Sequence, residues 1–399
     1  MHVALFNFYN TPNPHYSNIA SGLRRLGHNV WLGSQGENGN LQWHDGQSQV
    51  SIVPGPSKSL PFLRRLPILS KIMNRLSMFL FMIRLGIFFR NAAPDIIHMD
   101  PGSFHYHRIL KILKLKKTRL IVDIQHINVG IRHDPIGRFK EWLDVRELGN
   151  LVRLFDFAFF CHTGTARLVA GEGWDKLAAI VPVGIDEEFY HHQPQLVELD
   201  EKKPVTFIYV GGLTRFRDLE NILYAAQRAS EKSTDFKITL IGPDKSDGYY
   251  HNLVKVLKLD DIVELCPPIP NSEVPRVMAS FNVGLAYTPD RRTWDYQPTI
   301  KIIEYRALGL PILSFDVVTH REWVEEGVNG LLLEHSVESL AEGILRYVVD
   351  RTFLQQCTKN ALSMRKGLTI SDVCKMYADG YAKLLGQPAS NLRETAVSN

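Results

Sequence analysis

The chain has 399 residues, 45% of them hydrophobic and 22% charged, a composition that excludes disordered and fibrous classes and leaves a globular protein with ample core material. At about 100–200 residues per domain this length predicts two domains with a cleft between them. A net charge of +4 is modest, so no nucleic-acid partner is expected, and the four cysteines (Cys161, Cys266, Cys357, Cys374) lack the spacing of a zinc site or a disulfide scaffold.

Residues 1–7 run straight into a strand-like segment without a basic, cleavable leader, which predicts a cytoplasmic protein. Short apolar, β-branched runs then alternate with helix-length amphipathic stretches, the pattern of parallel sheets covered by helices. Strands are expected at 2–8, 29–33, 95–99, 119–124, 157–161 and 179–183. The polar run 190–204, YHHQPQLVELDEKKP, has no hydrophobic period and is expected to link the domains. A second set of strands follows at 206–210, 237–241, 263–265, 283–286, 311–315 and 330–333. The predicted organisation is an N-terminal domain over 1–190, a C-terminal domain over 204–375, and a terminal helix and tail over 376–399 that could pack back on the first domain.

Charge is unevenly spread. Residues 1–195 hold 22 Lys/Arg against 15 Asp/Glu, and the remainder holds 24 against 27. Residues 46–94 contain no acidic residue, while Lys58, Arg64, Arg65, Lys71, Arg75, Arg84 and Arg90 lie among Leu, Ile, Phe and Met. This mixture suits contact of residues 58–90 with an anionic membrane surface. The alternative is a helix packed on the N-terminal sheet with part of its surface exposed. A transmembrane span is not expected, because Arg75 and Arg84 bracket only eight residues and Pro67 precedes them.

Two clusters carry the candidate chemistry. In the first, Tyr209-Val210-Gly211-Gly212-Leu213-Thr214-Arg215-Phe216-Arg217, a strand enters glycines and then basic residues. Such glycines let backbone N–H groups approach an anion, and Arg217 can chelate phosphate oxygens, which is chemistry for a diphosphate. The bland alternative is a tight turn. In the second, residues 298–312 read PTIKIIEYRALGLPI. With Thr299 capping a helix, Lys301 in its first turn faces phosphate and Glu304, one turn on, can accept from both hydroxyls of a ribose. The bland alternative here is an exposed (i, i+3) ion pair.

These landmarks resemble the GT-B glycosyltransferases, and among them glycosyltransferase family 4, the group 1 glycosyltransferases. Residues 181–186 (VPVGID) with Phe189 are similar to the segment that closes the family's first domain. The Gly211–Arg217 loop, the strand end Leu240-Ile241-Gly242, the Pro298–Pro311 signature and the Glu322–Gly330 turn follow in the family's order. The likeness covers most of the C-terminal domain and is thin in the N-terminal one. It implies an α/β, GT-B architecture: two Rossmann-like domains with parallel sheets facing across a cleft. The activity implied is a hexosyltransferase-type transfer from a UDP- or GDP-linked sugar to a glycan or lipid-linked acceptor. Transfer would be retaining and metal-independent, without cofactor, and would serve surface polysaccharide or glycoconjugate assembly at the inner face of the membrane.

Carried over by residue, the resemblance implies that Glu304 holds the ribose, Arg217 and Lys301 the diphosphate, and Gly211, Gly212 and Leu213 the phosphate backbone. Gly242 would border the donor and Ile269 the base. The family's first glutamate would fall at Tyr296, so Asp295 or Gln297 would have to contact the donor sugar in its place. A basic residue common in the phosphate loop is Gly212 here, leaving Arg215 or Arg217 to compensate. His126, just past the strand 119–124, is where the family often places a histidine facing the donor sugar; with 15 histidines in the chain, the alternative is a structural role. Asn10, His98 and Asp100 are further candidates for the acceptor side. Two other functions stay open on this sequence: a GT-B-fold sugar-nucleotide epimerase, and a catalytically silent GT-B-like binding protein.

Overall fold

The structure is a computed structural model, and it describes residues 1–6, 14–35, 40–54, 67–101, 117–127, 129–130, 134–194 and 203–387. The chain divides into two compact units. One comprises Met1–Ile127, Asp134–Val183 and Ile370–Asn399; the other comprises Asn128–His133 and Gly184–Thr369. Most of the 190–204 run, residues 195–202, lies outside the described residues.

In the first unit the strands are β1 (His2–Phe6), β2 (Asn29–Gln35), β3 (Leu41–His44), β4 (Gln49–Val53), β5 (Ile96–Met99), β6 (Arg119–Ile124), β7 (Phe157–Phe160) and β8 (Ala178–Ile180), ordered β4-β3-β2-β1-β5-β6-β7-β8. All pairings are parallel except β2–β3 and β3–β4. That antiparallel edge was not expected from the sequence. Its strands are short and partly polar, and they turn at Asp45-Gly46, where the Asp45 carboxylate accepts from the Gln47 and Ser48 amides. The helices are α1 (Pro14–Arg25), α2 (Pro67–Ala92), α3 (Pro135–Leu154) and α4 (Thr163–Ala170). The central strands β5 and β7 are buried on both faces, as parallel strands between helix layers must be.

Strand alternation sorts the core into two layers. On one side of the sheet Phe6 stacks on Trp43, and Trp43 stacks on Phe88 of α2. On the other, His98 meets Tyr16 of α1 edge to face and stacks on Phe159.

The second unit is wholly parallel: β9 (Val205–Val210), β10 (Phe236–Ile241), β11 (Val263–Cys266), β12 (Val283–Ala286), β13 (Ile312–Phe315) and β14 (Gly330–Leu333), ordered β11-β10-β9-β12-β13-β14. Its helices of eight residues or more are α5 (Glu220–Ser230), α6 (Tyr249–Val256), α7 (Ile300–Leu308), α8 (Val337–Val349) and α9 (Arg351–Ser363). The chain runs outward from β9 to β11 and returns on the other side of β9 as β12. The crevice beyond the ends of β9 and β12 is therefore a topological switch point, where doubly wound sheets bind ligands. Gly284 on β12 makes room for Tyr305 of α7, since a Cβ there would lie 2.4 Å from the ring, and the Tyr305 hydroxyl donates to the Ile208 carbonyl at 2.9 Å. Helix α7 is thereby fixed against the β9–β12 seam.

After the second unit, α10 (Ile370–Leu384) returns to the first. It packs against α1 so closely that a Cβ on Gly22 would meet the Cys374 sulfur at 2.2 Å. Among the described residues no helix is long and apolar enough to cross a membrane.

Trp43 is fully buried and touches Phe6, Phe88 and Phe89, so it ties the antiparallel edge to both β1 and α2. Trp43→Ala should cost about 3–5 kcal/mol by the usual range for a buried aromatic. Urea unfolding followed by circular dichroism checks this, and a cost below about 1 kcal/mol would show that the edge does not depend on it.

Candidate functional site

The loop after β9 is held by the loop after β10. The Gly211 amide donates to the Ile241 carbonyl at 2.8 Å, Leu213 donates to Pro243 at 3.0 Å, and Lys245 donates back to Leu213 at 2.9 Å. The two chains pass so closely that a Cβ on Gly242 would lie 2.0 Å from the Gly211 carbonyl oxygen. Gly242 thus serves as the backbone support of the Gly211 loop. Gly212 is different: a Cβ there meets only Thr214, at 3.6 Å. The close approach that the pair of glycines suggests belongs to Gly211 alone.

What approaches Gly211 is Lys301. A Cβ on Gly211 would stand 3.1 Å from the Lys301 ammonium, which also sits over the Tyr209 ring at 4.7 Å. Lys301 is 8% exposed and, among the described residues, makes no ion pair within 4.0 Å with Glu304 or any other acid. The expected alternative, an exposed (i, i+3) pair, is therefore corrected. Burial pushes the Lys301 pKa down to about 8, the Arg217 charge adds to this, and Glu304 opposes it. Glu304 keeps some solvent access yet lies deep among protein atoms. Its desolvation raises its pKa to about 7 against the pull of Lys301. Thr299 caps α7 in extended conformation, but its buried hydroxyl makes no capping bond and has no partner. The hydroxyl of Tyr209 is likewise buried without one. The mouth of the switch point thus gathers a buried ammonium, a helix N-terminus and two unpaired hydroxyls.

The remaining candidates in this unit spread around that centre. The Arg217 guanidinium lies 5.3 Å from the Trp294 ring and, among the described residues, is in no ion pair with a carboxylate. Arg215 is turned away: it is exposed, lies 3.5 Å over the Tyr249 ring and pairs with Glu220 at 3.7 Å. Of the two basic residues in the loop, Arg217 is therefore the one left available to an anion. Tyr296 accepts from Arg292 at 3.0 Å, Gln297 donates to Thr293 at 3.1 Å, and Asp295 accepts from the Val318 amide at 3.5 Å. Ile269 is half-buried beyond β11. His320 was not singled out by sequence, where it is one histidine of 15. It is fully buried, its Nδ1 lies 2.6 Å from the Ser314 hydroxyl, and its Nε2 has no partner. Burial drives its pKa down to about 3, with Lys301 among the charges that assist, so the ring is neutral at ordinary pH.

In the first unit the candidates behave differently. Asn10 lies outside the described residues. His126 is exposed just beyond β6. His98 does not line a surface: it is fully buried, with Nδ1 2.5 Å from the Tyr381 hydroxyl of α10, so its expected contact with an acceptor is corrected. Asp100 is 6% exposed. The residue that organises this region is Asp123, at the carboxyl end of β6. Its carboxylate takes the Tyr377 hydroxyl at 2.9 Å and the Gln125 amide at 2.5 Å, and stands 3.2 Å from His15 and 3.3 Å from His98. Burial alone would raise its pKa, but the two histidines outweigh burial and hold it well below the usual carboxylate range.

A carboxylate with a depressed native pKa stabilises the fold above its unfolded pKa and loses that contribution as pH falls through the native value. Asp123→Asn should therefore cost about 3–5 kcal/mol at neutral pH, as for a broken buried pair. It should also flatten the acid side of the stability profile below about pH 4. Denaturant titrations at several pH values check both; a mutant that unfolds in parallel with wild type across the acid range would show that Asp123 is not the stabilising anion.

Among the described residues no group of three or more His, Cys, Asp or Glu is placed to hold a metal ion. A family model, glycosyl transferases group 1, matches residues 204–350. A curated Haemophilus influenzae relative, described as an uncharacterized glycosyltransferase, is 26% identical over 152 residues, and the match spans 38% of this chain and 40% of that protein. The crystal structure of Anabaena HepE in complex with UDP superposes with a TM-score of 0.65 at 13% identity, covering 96% of this chain and 100% of that one. Sucrose-phosphate synthase from Thermosynechococcus elongatus gives 0.66 at 13% identity over 97% and 100%. At such identities the likeness concerns the fold. The chain therefore has the GT-B fold, and over residues 204–350 it resembles the group 1 glycosyltransferases.

Proposed function

We propose that this protein is a glycosyltransferase that takes a sugar from a nucleoside-diphosphate donor held by the second unit. The observation that carries this is the pair of cations, Lys301 and Arg217, gathered at the switch point with neither in an ion pair to a carboxylate among the described residues. A buried ammonium without a counter-ion is costly, and a diphosphate seated on Lys301, Arg217 and the backbone of Gly211–Leu213 relieves that cost. The N-terminus of α7 adds its dipole. Glu304, one turn further along, accepts the ribose hydroxyls, and Thr299 supplies a hydrogen bond to the same ligand. Ile269 borders the base. HepE was crystallised with UDP and with UDP-glucose, which favours a uridine nucleotide here.

In the reaction the bond between the anomeric carbon and the diphosphate oxygen breaks, and a bond from that carbon to an acceptor hydroxyl forms. The acceptor proton passes to the departing phosphate oxygen. Negative charge grows on the diphosphate as it leaves, and each pre-placed donor is worth about 3 kcal/mol of barrier. Lys301 and Arg217 meet that charge, so this step calls for no metal. Transfer to the same face of the sugar, with retention, follows from the family resemblance. Asp295, Tyr296 and Gln297 flank the sugar, and the family resemblance assigns His126 of the first unit to the acceptor side. The acceptor is a glycan or lipid-linked hydroxyl compound of surface polysaccharide or glycoconjugate assembly on the cytoplasmic side of the membrane.

Purified protein given UDP-sugars and a lipid-linked oligosaccharide should release UDP only when the acceptor is present. Conversion of the donor to an epimer without acceptor would overturn transfer in favour of isomerisation. Glu304→Gln separates ligand binding from fold. Because the native pKa of Glu304 is raised, its contribution to stability is full at low pH and lost as pH rises through about 7. The amide should therefore raise the melting temperature of the ligand-free protein above pH 7 while weakening donor binding by about 10–100-fold, the worth of a charged hydrogen bond. Thermal shift with and without UDP-sugar reads both effects, and unchanged donor affinity would remove Glu304 from the site.

A further inference from the structure

Helix α2 is buried on one side only, and its other side is apolar. Phe81, Met82, Leu85 and Phe89 are at most 1% exposed. On the opposite side Ile72, Met73, Leu76, Phe79, Leu80 and Ile87 are between 39% and 57% exposed. At 100° per residue these six fall within one arc of about 120°. Arg84 borders this stripe and Arg90 lies in line with it near the helix C-terminus; both are exposed. Apolar stripes of this length are uncommon on soluble surfaces and mark an interaction site.

We propose that this stripe docks the first unit onto an anionic lipid bilayer, with α2 lying in the plane of the interface. Charge favours lipid over a protein partner. From residue 46 to 94 the chain carries seven Lys/Arg and no Asp or Glu, a balance that matches a continuous sheet of negative headgroups. Too short an apolar run to span, the helix suits the boundary between headgroups and acyl chains. A second patch in the same unit has matching chemistry. On α3 the side chains of Ile136, Phe139 and Trp142 are exposed, Phe139 stacks on Trp142 at 5.7 Å, and Arg146 lies over the Trp142 ring at 5.3 Å. Amphipathic aromatics of this kind favour the headgroup level. Helices α2 and α3 both carry the chain from the β4 side of the sheet toward β8, and right-handed crossovers then place them on one face. Acidic neighbours Asp134, Asp144 and Glu147 on α3 are exposed too, so the electrostatic attraction falls mainly to the α2 segment.

Docking can be measured without any sugar substrate, so its outcome is independent of the proposed transferase activity. The full chain should co-sediment with phosphatidylcholine vesicles that contain phosphatidylglycerol, and only weakly with phosphatidylcholine alone. Leu76→Ser, Phe79→Ser and Leu80→Ser together should lower partitioning at least tenfold. Arg84→Glu and Arg90→Glu should each lower it about fivefold or more, with the remaining binding lost at high salt. These side chains are exposed, so the melting temperature and the thermal shift given by UDP should not change, which separates lost docking from lost folding. Wild-type protein that stays in the supernatant with both vesicle types would overturn the proposal, as would a triple-serine variant that binds like wild type. A concentration-dependent dimer abolished by the same serines, with no vesicle binding, would also overturn it and assign the stripe to a second copy of the chain.

Discussion

The second unit is arranged around one electrostatic problem, an ammonium buried beside a glycine with no ion pair to a carboxylate among the described residues. Lys301 reaches Gly211 because α7 is fixed on the β9–β12 seam by Tyr305, for which Gly284 leaves space. Gly211 is accessible because its loop is clamped to the loop after β10, where Gly242 lets the two backbones touch. Each of these contacts is rigid, hydrogen-bonded or sterically filled, so the charge cannot relax toward an acid elsewhere. A site of this kind is held ready at the expense of the ligand-free fold, in the way that functional sites often trade stability for preorganisation.

The first unit solves the opposite problem. Its buried charge is the carboxylate of Asp123, and it is amply satisfied by Tyr377, Gln125 and two histidines. Asp123 itself sits on β6, and its partners come from α1, β5, α10 and the residue just past β6, so one anion joins four elements at the carboxyl edge of the sheet. Satisfied in this way, the group stabilises and orients. The contrast between a saturated anion and cations without an ion pair distinguishes the structural polar centre of one unit from the proposed binding centre of the other.

Much of this was legible in the sequence, and the failures have physical causes. The buried parallel strands show as short apolar runs: of the twelve expected, three match the observed strands at both ends and eight differ by a residue or two at an end, where fraying makes boundaries soft. The β3–β4 edge was missed because its strands, of only four and five residues, are interrupted by Gln42, His44, Gln49 and Ser51. The Lys301/Glu304 spacing was visible, yet spacing cannot tell an exposed ion pair from two separately buried charges; that depends on what packs over α7. His98 was expected at a surface because it ends a strand, but α10, more than 250 residues later in the chain, covers it. The stripe on α2 leaves no helical period in the sequence for a simple reason. The buried and exposed sides are both apolar, so their contributions cancel, and only the fold reveals which side lacks a partner.

The claim on which the account rests is that Lys301 is a charge waiting for a phosphate. Its pKa lies near 8 in the ligand-free protein, and a diphosphate beside it must raise that value, so binding near pH 8 has to draw a proton from solvent. Calorimetric titration of UDP in buffers of different ionisation enthalpy measures this uptake directly. A fraction of a proton taken up per UDP bound at pH 8, and its loss in Lys301→Met, is the predicted result. Binding of UDP with no proton uptake, or uptake that survives in Lys301→Met, would contradict it.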